Sequence, residues 1–153
     1  MSYSIIMTTI AVSKNEIACD MQATHRSGYK LKVQTKIHHY SNPLVYPKPF
    51  YIGFAGSLED AHSVLEWFNS PNDKPPKARE SEYIILTEDK KIFTFANPLR
   101  WIQISEPFYA IGSGGQFALG ALHSGKSPKE AVLIASKCDP GTGLGVKSFD
   151  FKK

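Results

Sequence analysis

Most of this chain is written in short β-compatible runs, and helical spacing appears in only three places. That change of hydrophobic period limits the fold more than any other feature of the sequence. Residues 7–13 and 16–20 read as two strands around a Lys14-Asn15 turn, and residues 32–38 alternate as a third strand. Phe50 to Ala55 is apolar enough for a buried strand. At Leu58 the period switches: Leu58, Ala61, Val64, Leu65 and Phe68 fall on one face of a helix. Residues 69–80, rich in proline and polar side chains, form a solvated loop. Tyr83–Leu86 and Ile92–Phe95 flank a hairpin turn at Glu88-Asp89-Lys90, and residues 101–104 and 108–111 are further strands. Residues 114–124 and 128–138 read as helices, and 144–151 closes as a strand. Helices grouped between runs of strands imply an α+β layered domain. Strict alternation, the mark of a doubly wound parallel sheet, is missing.

A chain of 153 residues suits one domain, and 42% hydrophobic with 21% charged residues is enough to build its core. The formal charge is +4, but the lysines are scattered, so no nucleic-acid footprint is expected. Cys19 and Cys138 stand far apart without a C-x-x-C pattern, which points away from a disulfide scaffold or a zinc site. Met1 to Met7 has neither the basic start nor the apolar run of a signal peptide, and no stretch is long enough to span a membrane. A cytoplasmic protein with reduced thiols is the simplest expectation. The five histidines show no metal-ligand spacing, and no cofactor is implied.

Residues 120–127, Gly-Ala-Leu-His-Ser-Gly-Lys-Ser, satisfy the phosphate-cradling G-x-x-x-x-G-K-[ST] pattern. That loop needs a strand before it and a helix directly after it. Here the preceding residues read as helix and Pro128 follows the serine. Helix punctuation accounts for every residue: Gly125 ends one helix, Ser127 caps the next, Pro128 takes its first position and Glu130 completes a capping box. Gly112-Ser113-Gly114-Gly115 lacks the third glycine of a dinucleotide loop at the right offset.

Six segments in order carry a resemblance. They are Met7-Thr8-Thr9-Ile10, Cys19 to Thr24, Thr35-Lys36-Ile37, Gly53 to Ala61, Ala110 to Gly115, and Asp139-Pro140-Gly141-Thr142-Gly143. Together they resemble the proteasome-type N-terminal nucleophile hydrolases, meaning the bacterial HslV peptidases and, more distantly, proteasome β-subunits. The resemblance runs from Thr8 to about Phe151. It implies a four-layer αββα sandwich, with one helical layer reduced because the proline-rich loop 69–80 stands where relatives carry a second helix. It divides the chain into an extension or propeptide, residues 1–7, and one hydrolase-like domain, residues 8–153. Thr8 is the implied nucleophile, exposed when the chain cuts itself at Met7-Thr8. Asp20 and Lys36 are its charged partners, Gly56 supplies an oxyanion N–H, and Ser113, Asp139 and Thr142 surround the new α-amine.

The chemistry requires such a set. A threonine hydroxyl is a poor nucleophile until a base removes its proton, and a free α-amine with a pKa of about 8 suits that task at neutral pH. A lysine held charged by an aspartate lowers the hydroxyl pKa. A glycine at position 56 lets a substrate carbonyl approach closely. Thr8 to Asp20 is shorter than in the relatives, but loss of two residues from each strand of the first hairpin preserves facing. An ungapped alignment puts Ser4 at the nucleophile position and a turn among the apolar residues Ile10 to Val12, which disfavours it. The resemblance further implies unfolded polypeptide substrates, a homo-oligomer such as a ring, and an ATP-driven unfoldase as partner. Two other readings stay open: an inactive assembly subunit that keeps its extension as a strand, and an amidase of the same nucleophile class. Residues 41–49, with three prolines, are expected to line or cover the cleft.

Overall fold

A computed structural model describes residues 5–25, 27–78 and 80–151. In chain order the strands are β1 (Ile5–Ile6), β2 (Thr9–Ser13), β3 (Ile17–Asp20), β4 (Gln22–Thr24), β5 (Lys30–Lys32), β6 (Ile37–Tyr40) and β7 (Phe50–Ser57). Helix α1 (Leu58–Asn69) follows, then β8 (Ser81–Thr87), β9 (Ile92–Asn97), β10 (Arg100–Ile104) and β11 (Phe108–Gly112). Helices α2 (Gly115–His123) and α3 (Pro128–Cys138) precede the last strand, β12 (Val146–Phe149). Strands and helices of the described residues form an α+β fold with two antiparallel sheets.

The large sheet runs β10-β9-β8-β7-β1-β4-β5, and β6 also pairs with β7. The small sheet runs β11-β2-β3-β12. Side-chain alternation sorts the core. Phe50, Ile52 and Phe54 of β7 and Tyr83 and Ile85 of β8 pack with Ala61, Val64 and Phe68 of α1. Ile84 and Leu86 point the other way and meet Ile10, Val12, Ile17 and Cys19 of the small sheet. Ala11, Ala18 and Ala110, on the far face of the small sheet, pack against Ala118, Leu122, Ala131 and Ala135 of α2 and α3. Alanines there let the two helices sit close to the sheet.

Three sequence expectations need correction. Residues 32–38 are not one strand: β5 ends at Lys32 and β6 begins at Ile37. Thr35 exchanges hydrogen bonds with the Ile37 N–H and carbonyl, a local arrangement that replaces the ladder. Lys36 therefore stands just before a strand, not within it. The closing strand is shorter than residues 144–151, because Leu144 takes a positive φ of 60° and Gly145 follows at 107°. Residues 41–49 do not line the Gly56 region. They connect Tyr40 to Phe50 at the opposite end of β7, about 20 Å away at strand rise. There Tyr46 stacks on Trp101 at 5.4 Å.

The caps of α2 and α3 confirm the punctuation reading of residues 120–127. Lys126 N–H closes on the Ala121 carbonyl, and Ser127 and Glu130 form a reciprocal capping box ahead of Pro128.

Candidate active site

The chain changes sheets at Met7-Thr8, between β1 and β2, and changes back at Met21, between β3 and β4. These crossings, with the entry to β6, bring Thr8, Asp20 and Lys36 together. The register sets the pair: Ile10 faces Cys19, so Asp20 extends alongside Thr9 and reaches Thr8. The Thr8 hydroxyl donates to Asp20 Oδ1 and accepts from Lys36 Nζ. Lys36 Nζ also donates to Asp20 Oδ1 at 2.7 Å and to the Gln22 carbonyl. The ammonium has three protons, and each has an acceptor. Asp20 also accepts from the backbone N–H groups of Thr9 at 3.2 Å, Gln22 at 3.3 Å and Gly143 at 2.9 Å.

This cluster is buried. Thr8 and Asp20 are 0% exposed and Lys36 is 1% exposed. Burial pulls the Lys36 ammonium below its ordinary 10.5, and the adjacent Asp20 charge opposes that only in part. A buried ion pair is maintained only when its remaining hydrogen-bonding capacity is met, as it is here. Cys19, the neighbouring thiol, is pushed up to about 11 by burial and stays a protonated core residue.

A second polar cluster lies on the other side of Thr8, where β11 turns into α2 and α3 turns toward β12. Ser113 and Thr142 each donate a hydroxyl proton to Asp139 Oδ2 at 2.6 Å, and the Gly141 N–H donates to Oδ1 at 3.2 Å. Thr9 Oγ1 lies 2.8 Å from Thr142 Oγ1. Since Thr142 gives its proton to Asp139, Thr9 is the donor in that contact. Burial raises the Asp139 carboxyl, but the bonds from Ser113, Thr142 and Gly141 outweigh it and hold the group below its usual range. The Thr8 carbonyl faces this cluster, 3.3 Å from both Ser113 Oγ and the Gly114 N–H.

Gly56 joins the site through backbone alone. It bridges Ile6, two residues before Thr8, while Ser57 bridges Ile5. Its φ is 118°, and a Cβ there would run into the Glu80 carbonyl. The backbone of Glu80 and Ser81 behind it thus requires a glycine at this position. Ser4 lies outside the described residues. Thr9, Gln22 and Gly143 stand within the segments that carry the resemblance, but the sequence assigns them no role. Thr9 contributes a hydroxyl whose partner only the fold supplies, and the Gln22 carbonyl and Gly143 N–H are backbone groups that no residue type marks.

No protein-family model matches the chain. The ATP-dependent protease subunit HslV of Pediococcus pentosaceus is 26% identical, with 95% of each chain covered. Among solved structures, Thiobacillus denitrificans BPH in complex with epoxomicin superposes with a TM-score of 0.69 at 21% identity, covering 95% of this chain and 97% of that one. The eukaryotic HslV of Trypanosoma brucei gives 0.67 at 21% identity, covering 94% and 99%. A Gly-1 mutant of Anbu from a Hyphomicrobium strain gives 0.71 at 11% identity, covering 95% and 82%. In sequence and in fold, the chain resembles the proteasome-type N-terminal nucleophile hydrolases represented by HslV and Anbu.

Proposed function

We propose that the chain is a threonine-type endopeptidase of the proteasome/HslV class, made as a precursor that cuts itself between Met7 and Thr8. The observation that carries this reading is the Thr8 hydroxyl held between the Asp20 carboxylate and the Lys36 ammonium in a buried site. In the first reaction Thr8 Oγ attacks the Met7 carbonyl carbon. The C–O bond forms, the Met7–Thr8 C–N bond breaks, and the hydroxyl proton passes to the Thr8 nitrogen. Water then hydrolyses the ester, leaving a Met7 carboxylate and a Thr8 with free hydroxyl and free amine. Lys36 lowers the cost of negative charge on Oγ, and Asp20 fixes the lysine.

In the second reaction the α-amine takes the Oγ proton as Oγ attacks a substrate carbonyl, and returns it to the departing amine. Gly56 N–H is assigned to the oxyanion, and Ser113, Asp139 and Thr142 to orienting the amine. Residues 1–7 are the propeptide and residues 8–153 the mature domain. Backbone pairing of β1 with β4 and β7 supports the reading, since an extended peptide already occupies the slot that a substrate strand would take. The fold is taken as a four-layer αββα sandwich with α1 as a thinned outer layer. Unfolded polypeptide substrates, a homo-oligomeric ring, an ATP-driven unfoldase and a cytoplasmic location complete the proposal.

A peptide epoxyketone tests it, because stable ring closure needs both a free α-amine and the adjacent hydroxyl. The expected result is one adduct on Thr8, absent from Thr8→Ala. Purified protein that hydrolyses no peptide and takes up no label contradicts it. The second reading, an assembly subunit that keeps its extension, is favoured by one observation: β1 is an integral strand of the large sheet. It predicts a full-length chain indefinitely.

A further inference from the structure

The large sheet has a weak joint. In the order β7-β1-β4-β5, β1 is what connects β4 and β5 to the other strands. Ile5 pairs with both Thr24 of β4 and Ser57 of β7. Cutting Met7–Thr8 frees β1 to leave, and the two-stranded β4–β5 piece then loses its ladder to the sheet. Two strands alone are marginal in water. Yet β4 begins with Gln22, whose carbonyl is one of the three acceptors of the Lys36 ammonium. Cleavage thus loosens a strand that the mature site still needs.

We propose that the Gln22 side-chain amide is a positioning residue: it pins β4 to the Asp139–Gly143 loop, and so keeps the Gln22 carbonyl over Lys36 after residues 1–7 have gone. The inference rests on the self-cleavage reading above. Gln22 is 2% exposed. Its Nε2 donates to the Pro140 carbonyl at 2.9 Å and to Thr24 Oγ1 at 3.1 Å, so both amide protons are used. On the other side, a Cβ built on Gly143 would lie 2.8 Å from Gln22 Oε1, so the amide fills its seat. None of these contacts involves β1. The Pro140 bond ties the first residue of β4 to the loop that leaves α3, and the Thr24 bond ties that residue to the third residue of its own strand. The Met21 N–H bond to the Gly143 carbonyl, 3.1 Å, holds only the entry to the strand.

The test compares two steps in one protein. Gln22→Met keeps the length of the side chain and removes its donors. While β1 is in place β4 stays anchored, so self-cleavage, followed by intact mass, is slowed less than peptide turnover is. Peptide turnover by the processed enzyme falls about tenfold or more, in kcat, the effect of losing one buried hydrogen bond to a charged group. Its alkaline limb also moves to lower pH, because an ammonium with one acceptor fewer loses its proton sooner. The charged and titratable groups that act on Lys36 are Asp20 in contact and Cys19 and Asp139 at longer range, and none of these is changed.

Equal slowing of both steps, or of neither, overturns the proposal. Wild type that neither cleaves nor turns over peptide contradicts the underlying reading instead. Amide hydrogen exchange gives a second arm. After cleavage, residues 30–32 keep the protection of their ladder to β4 in wild type and lose it in Gln22→Met. Loss in both proteins, or in neither, overturns the proposal.

Discussion

The two polar clusters that flank Thr8 solve opposite electrostatic problems. On one side Lys36 and Asp20 form a complete ion pair, 2.7 Å apart, closed off from water and saturated with hydrogen bonds. On the other, Asp139 is an anion met only by neutral donors: two hydroxyls and a backbone N–H. Among the described residues, no cation lies within ion-pairing distance of it. The first cluster is finished in the uncut chain and acts on the Thr8 hydroxyl. The second is suited to a cation beside the Thr8 backbone, which is where cleavage would create an ammonium. On the proposed reading, the first cluster serves self-cleavage and the second serves its product.

Lys36→Met should break this contrast most severely. It removes the positive charge and leaves Asp20 buried without its counter-ion. Self-cleavage should fall by about a thousandfold, with a stability loss of about 3–5 kcal/mol in chemical denaturation. Self-cleavage near the wild-type rate would show that the ion pair is structural only. Asp139→Asn should have a smaller effect, and mainly after cleavage. Turnover should drop roughly ten- to hundredfold, as expected for loss of hydrogen bonding to a charged group. The acid limb of kcat/KM should move to lower pH, because an α-ammonium without a nearby anion gives up its proton more readily. A limb that stays in place would remove Asp139 from the amine. The same carboxyl contributes to stability with a definite sign. Its folded pKa is depressed, so its contribution is present at neutral pH and is lost as pH falls through the folded value. Ser113→Ala leaves Asp139 its bonds from Thr142 and Gly141. It should cost the least, about three- to tenfold in turnover.

Side chains and backbone differ in how far the sequence discloses them. Thr8, Asp20 and Lys36, and likewise Ser113, Asp139 and Thr142, were legible because each has a reactive side chain set in an ordered series of segments. The strand and helix pattern was legible for the same reason that the core sorts cleanly: β7 and β8 alternate by face, and α1 keeps its period. What escaped was anything made by backbone or by long-range pairing. The Gln22 carbonyl on Lys36 and the Gly143 N–H on Asp20 carry no residue-type signature. The break at Val33 to Lys36 escaped because period-two alternation persists through it, while Thr35 satisfies the backbone locally. The two-residue strand β1 has too few residues to show a period at all.

All of this turns on one peptide bond. The most direct measurement is the intact mass of the purified chain, wild type beside Thr8→Ala, followed over time at neutral pH. The account predicts that wild type loses residues 1–7 and begins at Thr8, while Thr8→Ala keeps its full mass. A full-length chain in both, from protein that is folded and monitored over days, would contradict it.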